Sequence, residues 1–359
     1  MIFTINSAIE GLNKSSSLTP AIKQQLLGEA LFMRAFCYFY LVNLYGDVPL
    51  VWSTDWTLNS SLNRISKQEI YSQIVEDLKM SKNLLNSNFL GSDVRSVSSE
   101  RVRPTKWVAI ALLARVYLYI GDFVNAEIEA SGLLDNNTLF SLCPLGDVFK
   151  SNSKEAIWQL KPVTTSPSNT WEGFLFVLPA AGPNTSTYPV YLSNYVLNSF
   201  ETGDDRKVNW VKSVSVGPNI YSYPNKYKIG RGNAALSEYS TIFRLAELYL
   251  IRSEARIQQN KIGGAQDDLN IIRKRANLPS TSANGKNSII AAIYQERKVE
   301  LFTEWGHRWF DLKRSGNVNS VMTLVTNEKG GIWNLNWQWY PIPQYELEKD
   351  PNIIQNDGY

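Results

Sequence analysis

QERKVELFTEWGHRWFDLKRSG, residues 295–316, is the stretch on which the fold turns. Together with the preceding SIIAAIY it spaces Ile289, Ile293, Val299 and Leu301 as the apolar side of a helix over 288–302. Glu296, Glu300 and Glu304 recur every four residues and so fall along one helical face. Like charges at that spacing repel. The neighbouring Arg297, Arg308, Lys313 and Arg314 are therefore expected as partners that turn the repulsion into an ion-pair network. Two carboxyls can also flank a scissile glycosidic bond. A buried network between packed helices is the commoner outcome, and it is the reading taken for this stripe.

Outward from that stretch the chain reads as further helices. Residues 240–277 spell an apolar helix, a turn at Gly263 and Gly264, and a second helix carrying Ala265, Leu269 and Ile272. Residues 104–134 show the same design, with Ala114, Tyr117, Gly121, Phe123 and Ala126 at the spacing of a tetratricopeptide helix–turn–helix. Pro20 opens a helix over 21–45 that Gly46 ends, and Ser66 with Glu69 forms a capping box for another over 66–85. Residues 318–359 read as a Trp-rich strand or loop, an extended run fixed by Pro341 and Pro343, and a short helical turn. The expected fold is mainly α, an α–α array of tetratricopeptide-like pairs with an irregular, loop-rich subdomain carrying a few short strands. Its expected parts are a helical stretch over 1–140, a loop-rich ligand-binding insertion over 141–238, and helical repeats with a closing extended segment over 239–359, in one unit overall.

Composition narrows the function. The 359 residues are 44% hydrophobic and 19% charged, enough to bury a large core. A net charge of +3 with no long Lys or Arg run argues against nucleic acid as a partner. One histidine, His307, cannot build a multi-histidine metal site, and Cys37 and Cys143 cannot form a disulfide framework. There is no nucleophile elbow, Walker loop or CxxC motif, and no cofactor is implied. His307 reads as a hydrogen-bonded structural residue. Eleven Trp and eighteen Tyr are the conspicuous feature.

Between 141 and 238 many of these aromatics stand among Pro, Gly, Ser, Thr and Asn, where a flat face can reach a sugar ring. Trp171, Tyr188, Tyr191, Trp210 and Tyr223 are candidate ligand-binding residues, with Trp56 from an earlier polar loop. Asn184 and Arg206 are candidates for hydrogen bonds to hydroxyls. The triplet Asp204, Asp205, Arg206 also has a structural reading, as an ion pair that fixes a loop.

Four ordered stretches, 28–51, 243–279, 295–316 and 339–359, resemble segments of the SusD/RagB family of outer-membrane nutrient-binding lipoproteins, and the resemblance covers the chain from about Ile5 onward. It implies a non-catalytic receptor on the outer face of the cell outer membrane. Such a receptor binds an oligosaccharide or other nutrient through loop aromatics and delivers it to a TonB-dependent, SusC-like transporter. It also implies a lipoprotein signal peptide, a lipidated cysteine and roughly a hundred residues ahead of residue 5, so the chain reads as an N-terminally short version with an apolar helical face left exposed. Two rival readings are a tetratricopeptide adaptor for a protein partner and an α-helical glycoside hydrolase using the acidic stripe. The second fails if Glu300 and Glu304 point into arginines inside the core.

Overall fold

The periodicities become, in chain order, α1 (Ile2–Lys14), α2 (Pro20–Tyr45), α3 (Trp56–Asn59), α4 (Lys67–Leu84), α5 (Lys106–Ile120), α6 (Phe123–Leu134), β1 (Ala156–Leu160), α7 (Trp171–Phe176), α8 (Asn194–Leu197) and α9 (Asp205–Trp210). They continue with β2 (Val211–Val216), β3 (Asn219–Pro224), β4 (Ser240–Arg244), α10 (Leu245–Gln258), α11 (Ile262–Arg275), α12 (Lys286–Glu300), α13 (His307–Arg314), α14 (Val318–Glu328) and α15 (Gln344–Lys349). This computed structural model describes residues 1–163, 169–232 and 234–359. The fold is mainly helical with a few short strands, as the sequence leads one to expect.

Two compact units divide the chain. The first comprises residues 1–97, 104–122 and 309–359, the second 98–103 and 123–308. In the first unit α2 lies against α1 and α4, and α4 against α5. Close approach of α2 to the end of α4 requires Gly28, where a Cβ would stand 3.0 Å from the side chains of Leu84 and Leu85. Phe32, Phe39, Ile70, Ile74 and Leu78 fill that seam without exposure. Arg34 and Asp77 cross it as a buried fork of 2.8 and 2.7 Å. α5 is buried on nearly every face from Val108 to Leu118, as its all-round apolar sequence demands.

In the second unit α10 packs on α6, α11 and α12. Ala246, Leu250, Leu269, Ile272, Ile289 and Ile293 form one core between them. β1 pairs antiparallel with β4, and β2 with β3 through a tight Gly217-Pro218 turn in which Gly217 has φ 58°.

Four boundaries differ from the sequence reading. Residues 240–244, STIFR, are strand β4 and the helix begins only at Leu245, because β-branched and aromatic residues there find a strand partner in β1. The turn before α11 is made by Asn260 at φ 63°, and Gly263 and Gly264 lie inside the first turn of the helix. Helix α12 stops at Glu300, and residues 301–306 form a turn in which Thr303 and Trp305 take left-handed φ values of 57° and 40°. Residues 318–328 are helix α14, where Val318, Val321, Leu324 and Val325 keep helical spacing.

Candidate functional site

The acidic stripe lies in the core of the second unit. Glu296, Glu300 and Glu304 are 2, 0 and 7% exposed. Glu304 sits on the turn after α12 and still reaches the same cluster. Their partners come from distant sequence. Arg206 bonds Asp204, Glu296 and Glu300 at 2.8, 2.5 and 3.0 Å. Arg244 bonds Glu155, Glu300 and Glu304 at 2.9, 2.6 and 2.7 Å. Arg273 joins Glu296, Arg275 joins Glu155 and Glu300, and Lys226 joins Glu304. The expected partners do other things: Arg308 bonds Tyr195, Arg314 pairs with Asp311, and Lys313 donates to the Asn43 carbonyl.

Burial opposes the charge on Glu300, but Arg275, Arg244, Arg206 and Lys226 outweigh it and hold the carboxyl well below its ordinary range. Glu304 is likewise lowered, burial being overcome by Arg244 and Lys226. Glu296 goes the other way, burial raising it against the pull of Arg206. Lys226 is pushed down to about 8 by burial, against the pull of Glu304. Glu300 and Glu304 point into guanidinium groups inside the core, so they cannot flank a bond in an open cleft, and the hydrolase reading built on them fails.

The same unit carries an aromatic surface. Thr170 caps α7 by accepting from Gly173 N–H at 3.0 Å. Gly173 lets the helix press on the chain at Ile229, whose carbonyl would lie 2.1 Å from a Cβ at that position. The seating presents Trp171, 70% exposed, edge-to-face with Phe174 at 5.0 Å. The Arg231 guanidinium then lies 3.6 Å from the Phe174 ring and 4.8 Å from that of Tyr188. Trp171, Phe174, Arg231 and Tyr188 thus form a run of four planar groups. Beside Trp171 a depression of about 350 Å³ is lined by Leu160, Pro162, Val163, Glu172, Ser240 and Trp305. Trp305 is fixed there by its left-handed backbone and by its indole N–H donating 2.9 Å to the Thr241 carbonyl. Burial raises the Glu172 carboxyl, which accepts from Ser240 at 2.6 Å.

The structure sorts the residues expected at the site. Trp171 and Tyr188 share the planar run. Tyr191 is exposed and stacks edge-on against Tyr221 of β3 at 5.1 Å. Asn184 holds the loop in shape, its Oδ1 accepting from the backbone of Ser186, Thr187 and Tyr188. Trp56 is exposed on α3 in the first unit. Three expectations need correcting. Trp210, fully buried, packs against Phe149 and Phe302 and donates to the Leu145 carbonyl. Arg206, 1% exposed, is consumed by the ion network, so the loop-fixing reading of its triplet is the correct one. Tyr223 is buried at the end of β3. Missed were Phe174, Arg231 and Trp305. The Trp-Gly pair at 305–306 was the available signal for the last, since a glycine, which takes φ 76° here without strain, marks a turn that breaks the helical run. His307 is buried beside Glu247, with Nδ1 3.9 Å from its carboxylate.

Among the described residues no three His, Cys, Asp or Glu side chains gather as a metal site, and no helix is long and apolar enough to cross a membrane. Fold and surface define a class, a helical-pair scaffold with a buried ion network and an aromatic face in the same unit. A family model described as the SusD family matches residues 181–359, and one described as starch-binding, associating with outer membrane, matches residues 1–118. The chain belongs to the SusD family. It is 27% identical to SusD-like protein P2 of Formosa agariphila, an alignment covering 100% of this chain and 79% of that protein. The crystal structure of a SusD superfamily protein from Bacteroides vulgatus superposes with a TM-score of 0.84 at 22% identity, covering 100% of this chain and 83% of that one. Surface glycan-binding protein A from Bacteroides uniformis superposes at 0.80 with 20% identity, over 99% and 82% of the two chains.

Proposed function

We propose that this chain is a non-catalytic glycan receptor that holds a neutral oligosaccharide on the aromatic face of its second unit, at the outer face of an outer membrane, and passes it to a TonB-dependent transporter. The observation that carries the reading is the run Trp171, Phe174, Arg231 and Tyr188 beside the Trp305 depression. Such planar groups offer apolar faces to sugar C–H surfaces, while guanidinium and hydroxyl groups at their edges meet hydroxyls. A glycan-binding protein among the structural neighbours and a family described as starch-binding and associated with outer membrane support the ligand class and the location. The transporter follows from family resemblance alone.

The test is titration with a panel of neutral oligosaccharides by calorimetry, with chromatography of the sugar after overnight incubation. A saturable heat, weakened about tenfold or more by Trp171→Ala, with the sugar recovered intact, is the expected result. Shortened sugar products would refute the non-catalytic reading. Binding unchanged in Trp171→Ala and Tyr188→Ala would remove the aromatic face as the site.

A further inference from the structure

The first unit contains a cavity that the aromatic face does not explain. It measures about 420 Å³, within the range of small-molecule sites, and its lining includes Arg64, Lys67, Asn336, Gln338 and Trp339. Gly46, with φ 78° and ψ −130°, ends α2 beside it and brings the backbone under the indole, its Cβ direction meeting Trp339 at 3.6 Å.

The cations around this indole form no salt bridge among the described residues, although Asp47 and Asp357 also line the cavity. Arg64 spends its guanidinium on neutral oxygens: the carbonyls of Asp47, Ile354 and Tyr45, and the Asn356 amide. The Lys67 ammonium lies 5.5 Å from the Trp339 ring and, among the described residues, has no hydrogen-bond or ion-pair partner. Lys313 lies 3.6 Å from the same ring and donates only to the Asn43 carbonyl. Burial lowers Lys67, with partial relief from Asp47, and lowers Lys313 to about 7, with Lys67 adding repulsion. The acids nearby are Asp47, whose Oδ1 accepts from the Lys67 backbone N–H, and Asp357; both are exposed. The side-chain amides of Asn336 and Gln338 make no hydrogen bond among the described residues. Lys67 and Lys313 are partly desolvated and form no ion pair among the described residues, and Asp47 relieves Lys67 only in part, so an anion seated at Lys67 would offset a cost that the protein leaves standing.

We infer that this cavity binds a monosaccharide-sized organic carboxylate, its carboxylate on Lys67 and its ring against the Trp339 indole, with Asn336 and Gln338 meeting its hydroxyls. The cations select the charge, and the indole with the two amides selects a hydroxylated ring over a bare ion. This site is independent of the aromatic face in the second unit.

The probe is D-glucuronate, with D-glucose as its neutral counterpart and sodium sulfate as a bare anion, measured by calorimetry on the full chain. Saturable glucuronate binding is expected, with glucose at least tenfold weaker and sulfate weaker than glucuronate. Lys67→Met should weaken glucuronate about tenfold or more, the loss of one charge-assisted bond, while Lys67→Arg keeps most of the affinity. Trp171→Ala should leave it unchanged. Glucose binding as well as glucuronate, sulfate matching glucuronate, or no loss in Lys67→Met would each overturn the proposal, as would absence of glucuronate binding in a chain whose melting curve is intact. Because Lys67 is half-buried at the first position of α4 and forms no ion pair among the described residues, Lys67→Met is expected to fold, and Trp339→Leu gives a second variant should it not.

Discussion

Glu300 is the residue on which the second unit depends most directly. It accepts from Arg206, Arg244 and Arg275 with no solvent exposure, so Glu300→Gln removes the charge that compensates three buried guanidinium groups. Breaking a buried pair from one side costs about 3–5 kcal/mol, because the remaining charge stays desolvated. The sign of its pH dependence follows from the shift. Glu300 titrates far below its ordinary value of 4.5 when folded, so it contributes stability above that value and loses it as pH falls through the folded pKa. Glu304 acts in the same sense, whereas Glu296, raised by burial, binds its proton more readily in the folded chain and opposes them in acid. The difference in denaturation midpoint between the native chain and Glu300→Gln should therefore be largest near neutrality and shrink below pH 4.5. A gap that stays constant down to pH 3 would mean that Glu300 is not held ionised by its arginines. The four-residue acidic spacing was legible in the sequence. Its partners were not, since Arg206 and Arg244 lie 94 and 56 residues away in the chain.

Helix α7 shows what one element must satisfy to place a binding surface. It has only six residues, too few to be stable alone, so tertiary contact fixes it. The contact is Gly173 against the Ile229 carbonyl. Gly173→Ala would normally favour a helix, yet here the added methyl overlaps backbone. We expect it to lower the urea midpoint by the equivalent of about 1–3 kcal/mol and to weaken oligosaccharide binding by displacing Trp171. An unchanged midpoint with unchanged binding would show that α7 does not rest on Ile229. The sequence makes α2, α4 and α5 plain, because each carries a long apolar period and a cap or stop residue. Element ends proved less visible. Residues 240–244 could extend a helix by apolarity, and only the strand at 156–160 makes them a β4; the turn at 301–306 holds Thr303 and Trp305 in conformations that side chains of their type avoid, and packing rather than local preference imposes them.

At the scale of the whole molecule, aromatics are spread over both units, and the sequence could say which lay in polar loops but not which faced outward. Trp171 and Trp210 look alike in their local surroundings, yet one is 70% exposed and the other fully buried. The difference arises from Phe149 and Phe302, which close over Trp210 from distant segments, and such closure has no local sequence signature. Two surfaces of different physical character result. The face built on Trp171 offers planar groups and one guanidinium already stacked between Phe174 and Tyr188, whereas the cavity at Trp339 sets cations without carboxylate partners around an indole. Salt distinguishes them, since raising ionic strength from about 0.1 to 1 M shortens the screening length from roughly 10 to 3 Å. Neutral-oligosaccharide affinity should change by less than about twofold over that range, because stacking and hydroxyl hydrogen bonds carry no net charge. Glucuronate affinity should fall several-fold, as chloride and screening both weaken the field of Lys67. Parallel loss of both ligands would show that the Trp171 face holds its sugar by charge, and would reassign Arg231 from a stacked wall to the principal ligand contact.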